Sequence, residues 1–201
     1  MAIGPAVGTA LGAVDSAVNH VPIWLGEVGM ARADRGAWSQ AAEFASLILD
    51  AGWAWAAVAV LAGWLVSRHM RPAVGMLRGA AAGALTLVFA TTAYYGMDVI
   101  FDGGAWWDMR TRYWLIGSVV LGPVLGVAGT LIWRPRPAGA LAALLVPAGA
   151  ALQMVVLPPP AESLMAQPVR LAVWAFAAAA AVLLAWASGR RRTSARSVRP
   201  S

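Results

Sequence analysis

Residues 113–136 read YWLIGSVVLGPVLGVAGTLIWRPR. Tyr113 to Trp133 contain no charged side chain, aromatic rings stand at both ends, and Arg134 and Arg136 follow at once. A helix rising about 1.5 Å per residue needs roughly 20 such residues to cross a hydrocarbon core about 30 Å thick. Lipid offers no partner to backbone polar groups, so the segment must bond internally, as a helix does. The rings then sit at headgroup level and the arginines lie just beyond. This stretch predicts a transmembrane helix, and the rest of the chain can be read outward from it.

The pattern recurs. Apolar runs cover 51–66, 73–97, 138–157 and 169–188, and a weaker one covers 2–24, where Asp15, Ser16, Asn19 and His20 interrupt it. That first run lacks a positive leading region and an evident small-residue cleavage site, so it is expected to be a retained span and not a signal peptide. Between it and the second run, 38–50 has Trp38, Ala41, Ala42, Ala45 and Leu49 on one face, which predicts a helix lying on the membrane surface. The whole composition agrees: of 201 residues 60% are apolar and 12% charged, outside the range of soluble domains. The expected fold is an all-α transmembrane bundle of about six spans within 1–188, or five if the first segment is only interfacial, followed by a basic tail at 189–201.

The arginines set the orientation. If connections alternate sides, one set holds Arg68, Arg71, Arg78, Arg134, Arg136, Arg190, Arg191, Arg192, Arg196 and Arg199 and no acid, while the other mixes five arginines with eight acids. The positive-inside rule puts the first set, and with six spans both termini, in the cytoplasm. Trp24, Trp38, Trp53, Trp55, Trp106, Trp107 and Trp114 then mark the outer boundary, and Trp64, Trp133 and Trp186 the inner one. Anionic lipid headgroups are the natural partners of the arginine loops. A net charge of +6 distributed between apolar runs argues against nucleic acid. Lysine is absent from this Ala-, Gly- and Arg-rich chain, a composition typical of a GC-rich bacterial genome, so a bacterial plasma membrane is expected.

Helices in lipid associate through close backbone approach and interhelical hydrogen bonds. Gly4, Gly8 and Gly12, Gly79 and Gly83, and Gly122 and Gly126 form small-residue ridges at four-residue spacing that would allow this, within one chain or against a second copy or another membrane protein. Pro123 and Pro147 lie inside spans and predict local kinks. Several features occur in a fixed order: a first span ending in polar residues, a surface segment, a span with Trp and Gly, a span ending in Tyr94–Tyr95, and Tyr113–Trp114 followed by Gly122–Pro123–Val124–Leu125–Gly126. In this the chain resembles a family of small actinobacterial multi-pass membrane proteins known only as a domain of unknown function. The resemblance covers most of 2–188. It implies a fold and a lineage but no site residue.

Polar groups within or beside the spans are the candidates for function, since an ionisable side chain at mid-bilayer costs about 2.5 to 3.5 kcal/mol on insertion scales. Asp15, Asn19, His20, Asp50, Tyr94, Tyr95, Asp98 and Gln153 all fall towards the outer side and would line a shallow outward-facing cavity if their spans converge. Alternatively they cap helices and hold the bundle together. A second candidate is the connection 98–112, where Asp102, Trp106, Trp107, Asp108, Arg110 and Arg112 could bind a cation. Its plainer reading anchors the two indoles at the headgroups and pairs Asp108 with Arg112 across one turn. With no cysteine and only His20 and His69, no thiolate or paired-histidine metal site can form. Phosphate-loop and nucleophile-elbow motifs are also missing. No catalytic residue, metal or cofactor is therefore expected. The favoured function is a non-enzymatic accessory, sensing or ligand-binding membrane protein. The alternatives are a small-solute or ion transporter, and a membrane enzyme acting on a lipid-linked substrate through Asp98, Asp102 and Asp108.

Overall fold

The computed structural model describes residues 2–134 and 137–196. Arg136 and Arg199 of the arginine set lie outside the described residues. The described chain is all-helical: α1 (Ile3–Trp24), a single 3-10 turn at Arg32–Asp34, α2 (Ala37–Leu49), α3 (Gly52–Ser67), α4 (Pro72–Asp102), α5 (Met109–Leu131), α6 (Ala138–Val156) and α7 (Ala166–Arg196). Four of these, α4, α5, α6 and the Ala166–Leu184 part of α7, are long and apolar enough to cross a membrane. A fifth follows if α2 and α3, bent by 58° at a short break, form one broken span. A helix exists at each of the six expected places. However, α3 has only 16 residues, and Asp15, Asn19 and His20 dilute the apolarity of α1.

Several ends differ from expectation for identifiable reasons. Pro72, whose fixed φ suits the first helical position, opens α4. Gly96 keeps helical backbone, and only Gly103 and Gly104 take positive φ, 75° and 106°, so α4 continues past 97 and carries Asp98 and Asp102 on its last turns. α5 begins earlier than 113 because Asp108 caps it: its carboxylate accepts from the Thr111 N–H at 2.7 Å. That bond holds the Asp108 carboxyl below its ordinary value. The expected Asp108–Arg112 side-chain pair is replaced by this cap, and Arg112 Nε donates instead to the Asp108 backbone carbonyl at 3.3 Å. At the far end, α7 runs on to Arg196, so the first part of the basic tail extends the last helix.

What is buried and what is exposed runs opposite to a soluble protein. Asp15, Ser16, Ser39, Thr86, Thr91 and Thr111 are almost wholly buried, whereas Ile116, Val119, Val120 and Val124 along α5 are more than half exposed. Large apolar side chains face outward where lipid is the solvent, and small or hydrogen-bonding residues face each other. Along α1, a methyl group added at Gly4, Gly8 or Gly12 would collide with the backbone of α4 at Ala82, Thr86 and Ala90 respectively. Both series ascend together, so α1 runs alongside α4 in the same direction. Gly83 meets Gly122 and Gly79 meets Gly126, so α4 and α5 are antiparallel. Gly126 is also pressed by Gly63 of α3, and Gly129 by Val60. Trp64 and Trp133 stack at 5.3 Å beside this junction, with Arg68 over the Trp64 ring.

α6 and α7 form a second unit. Ala150, Met154, Val169 and Val173 make a small apolar cluster between them, and Phe44, Leu47 and Ile48 of α2 pack onto it. The expected surface helix is thus tied to its neighbours by that face, while Trp38 stays 79% exposed. Arg32 pairs with the buried Glu43 at 2.7 Å and draws the preceding connection onto α2.

Gly126 stands where three backbones meet, so Gly126→Ala is expected to lower stability by about 1 to 3 kcal/mol through overpacking. Gly96 has open space around it, and Gly96→Ala should leave the melting temperature of the purified protein unchanged or raise it.

Candidate ligand-binding site

Because α1 and α4 run in register, the polar residues near the end of α1 meet those near the end of α4. Ser16 Oγ donates to Asp98 Oδ1 at 2.6 Å. One turn on, the His20 ring lies 2.7 Å from the Ser16 carbonyl through Nδ1 and 3.1 Å from Asp102 Oδ2 through Nε2. Both ring nitrogens therefore face oxygen acceptors. Phe101 and Trp24 cover the imidazole, at centroid distances of 4.7 and 6.4 Å.

Asn19 is the hub. Its amide nitrogen donates to Asp50 Oδ2 at 3.0 Å and to the Tyr94 hydroxyl at 2.9 Å, and its carbonyl oxygen accepts from Ser46 Oγ. One side chain thereby joins α1, α2, the α2–α3 corner and α4. Asp15 is fully buried and points at α3, where Trp55 Nε1 donates to its Oδ2 at 3.2 Å. Among the described residues no donor reaches its Oδ1. Three carboxyl groups, Asp15, Asp50 and Asp98, lie close enough to Tyr94 to act on it electrostatically.

Next to this network lies a cavity of about 380 Å³ between α3, α4 and α5, within the size range of small-molecule sites. Asp50, Trp55, Tyr94, Tyr95 and Trp114 line one end. Leu87, Leu121, Val124 and Leu125 line the other. Ser118 between them is spoken for: it donates to the Trp114 carbonyl at 2.8 Å, so the Thr91 hydroxyl, 2.9 Å away, donates to it.

Of the first candidate set, Asp15, Asn19, His20, Asp50, Tyr94 and Asp98 converge in this way, and Tyr95 reaches the cavity wall. Gln153 does not join them. Its Oε1 accepts from the Trp53 N–H at 3.2 Å, satisfying a donor that the first turn of α3 leaves open. The second candidate set disperses: Asp102 turns to His20, Asp108 caps α5, and Trp106 stacks on Trp107 at 6.0 Å. Among the described residues no group of three or more His, Asp or Glu side chains is arranged to hold a metal ion. Ser46, Trp55 and Trp114 are site residues that the sequence did not single out. The only hint for Ser46 is its position one turn before Asp50.

Replacing Asn19 with Leu removes its bonds to Asp50, Tyr94 and Ser46 and leaves Ser46 only Asp50 as a partner, and stability is expected to fall by about 1 to 2 kcal/mol. Trp107→Ala, at a 64% exposed position, should change it by less than about 0.5 kcal/mol. Thermal unfolding in detergent reads both. No family model matches the chain, and neither the curated proteins nor the solved structures contain one that is similar to it.

Proposed function

We propose that this chain is a six-span ligand-binding protein of a bacterial plasma membrane, with both termini in the cytoplasm and its ligand held in the cavity beside the Asn19 network on the outer side. Two features support the sixth span. α1 lies along α4 from Gly4 at Ala82 to His20 at Asp102, so it shares the depth of a helix long enough to cross. It also runs parallel to α4, as two helices entering from the same side must. The arginines at 68, 71, 78 and 134 support the orientation, and they are suited to anionic headgroups. The order of features from Ala2 to Ser188 is what supports a lineage among small actinobacterial membrane proteins.

The observation that carries the ligand-binding reading is the cavity itself. A bundle that only needed to hold together would close the α3–α4–α5 space as it does at Gly63, Gly79, Gly83, Gly126 and Gly129. Instead it opens where the polar side chains gather. The same glycine packing argues against a transport path, because the other half of these helices leaves backbone against backbone with no polar route between. Binding without transport or chemistry needs no group that the site lacks.

Native mass spectrometry of the protein extracted from its own membrane tests this. A bound small molecule is expected on the wild type and on Gly149→Trp, whose position lies in open space on α6. It is expected to be lost in Gly117→Trp, which projects an indole into the cavity wall. Identical spectra for all three proteins would remove the cavity as the site.

A further inference from the structure

The two ends of the cavity differ in chemistry, and the difference specifies an occupant. We infer that it binds an amphiphile with a cationic head, taken laterally from the surrounding lipid, with the head at Asp50 and the chain along α5. The inference rests on the ligand-binding reading above and adds the ligand's class.

The head end carries a carboxylate and several ring faces, and its donors are neutral ones, on Tyr94, Tyr95 and Trp114. Asn19 donates to Asp50 Oδ2 at 3.0 Å, the Ser46 hydroxyl lies farther from it and goes to Asn19, and Asp50 lines the cavity. The indole N–H of Trp55 is already committed to Asp15, and the Asn19 amide is fully used. Among the described residues no basic side chain lines the cavity, and Arg110, whose charge reaches Tyr95, is not part of the wall. An anionic head would meet the Asp50 carboxylate and find only the neutral donors of Tyr94, Tyr95 and Trp114, with no positive charge to balance its own. A cationic head would find the Asp50 carboxylate and the faces of Trp55, Tyr94, Tyr95 and Trp114, whose ring quadrupoles attract cations.

The other end is a slot for a chain. From Trp114 to Leu125 the wall follows α5 for roughly 16 Å at about 1.5 Å per residue. It is walled by Leu87, Leu121, Val124 and Leu125. Leu121 and Val124 are both more than half exposed, so the slot opens through the apolar surface of the bundle. A soluble cation would use only the head end and leave this apolar wall against water. An amphiphile already in the leaflet enters sideways without leaving lipid and fills both.

The test uses the full-length protein in dodecyl maltoside micelles, whose heads are uncharged, with three probes: dodecyltrimethylammonium, dodecyl phosphate and tetramethylammonium. Dodecyltrimethylammonium is expected to raise the melting temperature of the wild type by several degrees in a saturable way, with the other two probes giving no shift. The shift should vanish in Gly117→Trp and fall at least tenfold in apparent affinity in Asp50→Asn. If dodecyl phosphate stabilises equally, and Gly117→Trp but not Asp50→Asn abolishes the effect, the cationic head is wrong while the cavity reading stands. If tetramethylammonium does as well as the dodecyl compound, the occupant is a soluble cation and the amphiphile is wrong. A shift that survives in Gly117→Trp, or no shift with any probe, overturns the inference. Whether the cavity reading falls with it is decided separately by the mass of the molecule that co-purifies.

Discussion

Lipid removes the usual reason for helices to associate. An apolar face gains little by leaving a hydrocarbon solvent, so helix contact must come from dispersion at close range and from hydrogen bonds between helices. This constraint organises the bundle. Glycines on α1, α3, α4 and α5 let backbones touch, and several side chains that can hydrogen-bond, such as Asp15, Ser16, Thr86 and Thr91, are buried between the helices. Leu, Val and Phe, which would fill a soluble core, are largely turned outward.

Two consequences follow along the length of the helices. Towards one end, α3, α4 and α5 meet at Gly126 so closely that no side chain fits between them. Towards the other, the backbones separate and polar side chains bridge the gap, with Asn19 tying α1 to α2, to Asp50 and to Tyr94. The cavity of about 380 Å³ lies in the second region, and a smaller one lies at the other end between α1, α3 and α4, beside Arg78. The same feature that holds the helices together there, a set of acceptors joined through one amide, gives the cavity its electrostatic character. Asp50 both anchors the network and faces the open space.

Much of this architecture is legible in the amino-acid sequence. Uncharged runs of fixed length mark helices reliably, because the thickness of a bilayer sets their length, and the ridges Gly4–Gly8–Gly12, Gly79–Gly83 and Gly122–Gly126 are contact lines as expected. What the sequence does not carry is which ridge meets which. Pairing α1 with α4 brings Asp98 to Ser16 and Asp102 to His20, although more than eighty positions separate each pair. Helix ends are also hard to place: at the headgroup level Asp, Tyr and Trp are as comfortable in a helix as beyond it, so only Gly103 marks the stop of α4. Gln153 falls outside the site because its depth is legible but its rotation about the axis of α6 is not. The cavity depends on the separation of three helices, and no sequence pattern encodes that distance.

In the proposed topology α1 crosses the bilayer beside α4, which would carry Asp15, Asn19 and His20 into its outer half. The cysteine-free sequence allows a direct measurement with a membrane-impermeant maleimide on intact cells carrying either Ala2→Cys or Glu27→Cys. A spanning α1 predicts labelling of Glu27→Cys from outside, and of Ala2→Cys only after the membrane is permeabilised. Labelling of Ala2→Cys in intact cells would contradict it.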